Sequence, residues 1–142
     1  MPDRSRAAVV AAAVAAAVVV NLVVHGIGRA AGGTFRFTAA TGPAEVDAIT
    51  VTGFSAVPLL IGLTVVALLA PFASWVTRAA LIAGPALAVG TILGMTVPAD
   101  FDTTSTVTLA LCHLTLVPII VVAVRALARR AETVRAARTS AA

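Results

Sequence analysis

Charge is scarce in this chain: of 142 residues, 11% are charged, against 60% from the hydrophobic set. A single soluble domain would have to hide more apolar surface than it can enclose, which excludes a soluble monomer. Lysine is missing altogether, so the net charge of +4 reflects ten arginines against six acids. A nucleic-acid face needs its cations gathered on one exposed domain. Here the only cluster, Arg125, Arg129, Arg130, Arg135 and Arg138, follows the last apolar run, and no nucleic-acid partner is expected. The single cysteine, Cys112, cannot form an intrachain disulfide, so cysteine usage says nothing about redox compartment. No stretch spells a catalytic motif, and none asks for a cofactor.

What the chain does have is four apolar runs of bilayer-crossing length, separated by polar breaks. They predict an all-α bundle of four transmembrane helices in one domain, over residues 7–28, 43–70, 79–98 and 104–128, followed by a basic tail over 129–142. The first run opens with fourteen consecutive Ala and Val residues, Ala7 to Val20. Arg4 and Arg6 would suit a cleaved signal peptide. An apolar stretch of about 18 residues, however, exceeds the roughly 7 to 15 of such a segment, and an uncleaved helix is expected.

Between the first two runs, Phe35 and Phe37 flank Arg36 in a glycine-containing stretch that reads as an irregular loop dipping two rings into the membrane interface. Thr41 or Gly42 is then expected to cap the second helix, with Pro43 in its first position and Glu45 and Asp47 at its positive end. Phe72 and Trp75 belong at headgroup level, and Pro98 ends the third run. Arginines divide eight to two between the two sides: Arg4, Arg6, Arg78 and the five of the tail against Arg29 and Arg36. The positive-inside rule then puts both termini in the cytoplasm. The tail is expected to lie on anionic lipid.

Helices two and four echo each other, Ser55-Ala56-Val57-Pro58-Leu59-Leu60 against Thr115-Leu116-Val117-Pro118-Ile119-Ile120. A duplicated hairpin is one reading of that match. Pro58 and Pro118 each free the carbonyl four residues earlier, Phe54 and Leu114, so both helices are expected to kink, with Ser55 and Thr115 relieving the defect. In helix three, Ala86, Gly90 and Gly94 form a small-residue face for close packing, either on helix one or on a second copy in a homo-oligomer.

Few polar side chains interrupt the apolar runs. Asn21 and His25 share a face of helix one, and His113 lies about two turns into helix four. An ionisable group there is costly and points to function. With Asp100 and Asp102 these residues form a candidate polar cluster in the outer half, able to bind a small headgroup, a quinone oxygen, a proton or a metal. The competing reading is that His113 only glues helices together, through Asn21 or a freed carbonyl. Apart from Asn21 and His25 on helix one, no pair has helical metal-ligand spacing, and no metal is assigned. Adjacent helical residues point about 100° apart, which disfavours Cys112 and His113 as a nucleophile pair.

Three stretches carry a resemblance: Asn21-Leu22-Val23-Val24, the run from Phe54 to Gly62, and His113-Leu114 followed by Val117-Pro118-Ile119. On these the chain resembles a family of small actinobacterial four-helix membrane proteins of unknown function. The resemblance implies four spans in a bacterial plasma membrane and supplies no activity. Taken together, the residues lead to a non-enzymatic accessory or structural membrane component. The alternative is an outward-facing pocket around His113 that binds or moves a small ligand or proton. A membrane-embedded lipid enzyme using Asp100, Asp102 and His113 is the least supported.

Overall fold

The computed structural model describes residues 2–140, with side chains from Arg6 onward. Arg4, counted above for orientation, and tail residues 141–142 lie outside the described side chains. Helix α1 spans Pro2–Ala30, strands β1 and β2 span Arg36–Ala39 and Gly42–Glu45, and α2 spans Ala48–Leu69. Helix α3, Trp75–Thr91, runs on through a π-helical turn, Ile92–Thr96, and α4 spans Thr103–Ser140. Among the described residues four helices are long and apolar enough to cross a membrane: Arg6–Ala30, Ala48–Leu69, Trp75–Thr96 and Thr103–Ser140. Large apolar side chains face outward from every one of them, Val19, Phe54, Leu87 and Val122 among them. In water such a surface would aggregate; against hydrocarbon it is solvated.

Hydrophobicity does not distinguish one face of α1 from another, because nearly every residue is Ala or Val. Its buried stripe is Val10, Ala13, Ala17, Asn21, His25 and Gly28, stepping by three or four residues. The polar and smallest residues mark the inside. This face packs along both α2 and α4, with a core of Val10, Ala13, Ala17, Leu59, Leu63, Val66, Val124 and Leu127 near the end that holds the chain termini. At that same end Arg6 donates to the carbonyl of Ala67 (3.3 Å), and the Arg138 guanidinium lies 5.0 Å from the Phe72 ring centre.

Four expectations need correction. Residues 36–45 form an antiparallel hairpin rather than an irregular loop, pairing Arg36 with Glu45 and Ala39 with Gly42. Pro43 sits in β2, and α2 starts at Ala48, capped by Asp47, whose carboxylate accepts from the Thr50 N–H and hydroxyl. The hairpin prevails because its backbone bonds are reinforced by side chains some sixty residues away, described below. The fourth helix does not stop near residue 128, since α4 continues unbroken to Ser140 and takes in the basic tail as its helical end.

Finally, the Ala86, Gly90 and Gly94 face does not meet α1; all three residues are exposed, and a Cβ at Gly90 or Gly94 would meet nothing within 4 Å. The close approach of α3 is instead to α4 at Gly84, where a Cβ would stand 2.7 Å from Ile120. Helix α3 touches α2 only sparsely. Of the four seams of the bundle, three are closed and the fourth, α2 against α3, stands open.

Candidate functional site

The open seam is a cleft of about 740 Å³, walled by α2 and α3 and floored by α4. Phe54, Leu59, Leu63, Leu87, Leu116 and Ile120 give its character. At the hairpin end Phe37 and Phe101, with ring centres 5.0 Å apart, stand over it. The volume falls within the roughly 300 to 1,000 Å³ of small-molecule sites, which are mostly apolar with a few placed polar groups. Here His113 is the imidazole on the wall. Its Nδ1 lies 2.8 Å from the carbonyl of Leu109, one turn back on the same helix. A carbonyl only accepts, so Nδ1 carries the proton and donates. Nε2 is left for whatever occupies the cleft.

The other members of the expected cluster do not join His113. Asn21, 2% exposed, is the hub of three helices: its Nδ2 donates to Ser55 Oγ (2.8 Å) and its Oδ1 accepts from the Thr115 hydroxyl (2.7 Å). Its backbone carbonyl accepts weakly from Cys112 Sγ at 3.8 Å. Ser55 and Thr115 are the two hydroxyls expected to heal the proline defects. Thr115 also donates to the Cys112 carbonyl (2.8 Å), and neither hydroxyl reaches the carbonyls of Phe54 or Leu114. Their reach is sideways, to α1.

His25 turns away from the cleft to the hairpin. Its Nε2 lies 3.1 Å from the Val46 carbonyl, and its ring is tilted 52° against Phe35 with centres 4.4 Å apart. Phe35 is fully buried in a left-handed conformation, φ 57°, with its N–H donating to Ser105 Oγ (2.8 Å). A phenylalanine at positive φ is strained and persists only where its surroundings over-determine it. Here the Ser105 bond, the His25 ring and the Arg29 guanidinium, 5.3 Å from the ring centre, do so.

Asp100 and Asp102 are anchors for the hairpin. Asp100 accepts from the Thr38 N–H and hydroxyl, both at 2.7 Å, which lowers its pKa. Asp102 accepts from the Ser105 hydroxyl (2.6 Å) and N–H (2.9 Å) at the start of α4, and from the Thr34 N–H (3.0 Å) and hydroxyl (2.8 Å). Those four donors, the Ser105 hydroxyl foremost, hold its carboxyl far below the usual range. Glu45 pairs with Arg29 and, at 3.4 Å, with Arg36, and the Arg29 bond in particular lowers its pKa. Both arginines at this end are therefore shared by one carboxylate.

Among the described residues, no three His, Cys, Asp or Glu side chains gather where they could hold a metal ion. Sequence reasoning put the Phe35 ring at the membrane interface, whereas it is fully buried, and it missed Ser105, Thr108 and the close approach at Gly28, where a Cβ would stand 2.6 Å from Thr108 Cγ2 and 2.9 Å from Phe35 Cζ. The signal was present in part, since Gly28, three residues after His25, falls on the same helical stripe as Asn21 and His25.

The sequence pattern of a family described as "Family of unknown function (DUF6069)" matches residues 2–131. The chain belongs to that family. The DUF6069 match takes in all four long apolar helices, the hairpin and the cleft, stopping within the final turns of α4. No curated protein and no solved structure matches the chain.

Proposed function

We propose that this chain is a non-enzymatic accessory protein of a bacterial plasma membrane, with both termini in the cytoplasm, that holds a small amphipathic molecule drawn from the bilayer. The observation carrying this reading is the open α2–α3 seam, an apolar cleft facing the surrounding lipid with one imidazole on its wall. Orientation rests on the arginines: Arg6, Arg78 and the C-terminal part of α4 share one end, while at the other Arg29 and Arg36 both pair with Glu45. Kinks at Pro58 and Pro118 would help hold the seam apart. The exposed Ala86, Gly90 and Gly94 face is the surface on which a second copy would pack.

Native mass spectrometry from mild detergent tests the reading. Gly62 lines the cleft and a Cβ there would meet nothing within 4 Å, so Gly62→Leu enters the space from a position open at Cβ. Wild-type protein is expected to retain an adduct of lipid mass that Gly62→Leu loses, and the same spectra report the oligomeric state. Spectra free of adduct in both proteins would overturn ligand binding as the function.

A further inference from the structure

The chemistry of the cleft narrows what it would hold, on the reading that it is a ligand site. Among the described residues no arginine lines it. Glu45, its one charged lining residue, stands at the hairpin end and is committed to Arg29 and Arg36. A phosphate or carboxylate headgroup would find no countercharge, and burying an unpaired anion is far costlier than burying a neutral polar group. The occupant's head is therefore neutral.

His113 adds a second restriction. Because Nδ1–H is given to Leu109, the neutral ring presents Nε2 as an acceptor, and the matching head must donate. Of the other polar groups on the walls, Asn21 is engaged with Ser55 and Thr115, Thr50 with Asp47 and Thr91 with the Leu87 carbonyl, while Thr96, toward the hairpin end, keeps a hydroxyl on the cleft. Depth adds a third. His113 lies ten residues beyond Thr103, or about 15 Å along α4, so if that helix enters a hydrocarbon layer about 30 Å thick near its start the imidazole is well below the headgroups. Glycerolipid heads stay at the interface; a compact aromatic head with hydroxyl groups on a hydrocarbon tail can leave it.

We propose that the cleft is a binding site for an isoprenoid hydroquinone. One ring hydroxyl donates to His113 Nε2, and the prenyl tail lies along Leu59, Leu63, Leu87, Leu116 and Ile120. The quinol arrives sideways, from the bilayer between α2 and α3, because Phe37 and Phe101 stand over the hairpin end. The proposal is one of recognition, and no electron leaves the ring in it.

The oxidised and reduced forms of one molecule make the test, because a quinone has only acceptors to offer an accepting Nε2. A decyl-tailed benzoquinol, kept reduced, and the same compound as quinone are titrated calorimetrically into the detergent-solubilised protein, with Gly62→Leu as the blank for micelle partition. The quinol is expected to bind about tenfold more tightly, the worth of one well-made hydrogen bond. His113→Leu is expected to erase that preference. Wild type requires no variant to fold, so equal binding of both forms, or tighter binding of the quinone, overturns the assignment directly. Phosphatidylglycerol competing as well as the quinol, or a native adduct of phospholipid mass, overturns the quinol and leaves the cleft as a lipid site. No titration signal together with no native adduct removes both.

Discussion

If Asn21 is what locks α1, α2 and α4 together, its two side-chain bonds should be measurable one at a time. Nδ2 to Ser55 Oγ is 2.8 Å and Thr115 Oγ1 to Oδ1 is 2.7 Å, and the side chain is almost fully buried. Interhelical hydrogen bonds between membrane helices average about 0.6 kcal/mol and reach about 1.7, because the separated helices find other partners in the membrane. Two such bonds give about 1.2 kcal/mol for the hub, with a ceiling near 3.4. Asn21→Ala would add the cost of the space it leaves, so the single variant overstates the bonds.

Two double-mutant cycles remove that excess: Asn21→Ala with Ser55→Ala, and Asn21→Ala with Thr115→Val. The single Thr115 proton is shared between Asn21 Oδ1 and the Cys112 carbonyl, so the second cycle reports the Asn21 bond less what the carbonyl recovers once Asn21 is gone. Reversible unfolding in bicelles, followed by steric trapping, supplies the free energies. Coupling of about 0.6 kcal/mol is expected in the first cycle and less in the second. Coupling within error of zero in both would show that Asn21 is buried without binding the helices, and the hub would have to be abandoned.

Two further outcomes follow from the hairpin end. Gly28→Ala forces a methyl group against Thr108 and Phe35 and is expected to cost about 1–3 kcal/mol of overpacking, whereas Gly26→Ala, two residues earlier, meets nothing within 4 Å and should be close to neutral. Equal stability of the two variants in the same bicelle assay would contradict the close α1–α4 approach. Acid should undo the hairpin's anchors in order. The carboxyls of Asp100 and Asp102 are depressed, so the stabilisation they give is complete above the unfolded value of about 3.9 and drains away as pH falls through their lower native values. Asp102 is held further down, so the Thr38 amide should lose hydrogen-exchange protection before the Thr34 amide, after correction for intrinsic rates. Simultaneous release, or the reverse order, would refute that ranking.

Span number was readable because hydrocarbon imposes a length on any helix that crosses it, and four runs meet that length. The rotation of each helix was not, because an Ala–Val helix carries no hydrophobic contrast. In α1 the inward face is marked by Asn21, His25 and Gly28, so two polar residues of the proposed cluster did lie on one stripe. They nonetheless serve different contacts, one toward Ser55 and Thr115 and the other toward Val46 and Phe35. The hairpin was illegible for another reason. Its strands are four residues each and one contains Pro43, while the bonds that hold it come from Asp100 and Asp102, far along the chain. Reading those aspartates as companions of His113 placed them at the correct end with the wrong partner.

The echo between helices two and four acquires a physical meaning from the hub. Ser55 and Thr115 occupy matching positions three residues before Pro58 and Pro118, and both reach the same Asn21 on α1. If helices one and three were equally matched, α3 would present a polar residue of its own to α2 and α4 and glue the fourth seam as Asn21 glues two of the others. It makes no such bond: Thr96 is buried on its final turn without a side-chain hydrogen bond to α2 or α4, and among the described residues its side-chain hydrogen bonds, Thr77 to Ser74 and Thr91 to Leu87, stay within its own segment. Its hold on the bundle is the close approach of Gly84 to Ile120 on α4, a contact that leaves α2 untouched. In hydrocarbon there is no hydrophobic drive to close a seam that lacks both hydrogen bonds and close-packed small residues. The cleft therefore follows from an asymmetry in where the polar residues lie, and Asn21 and His113 have opposite parts in it, one fastening helices and the other left facing the gap.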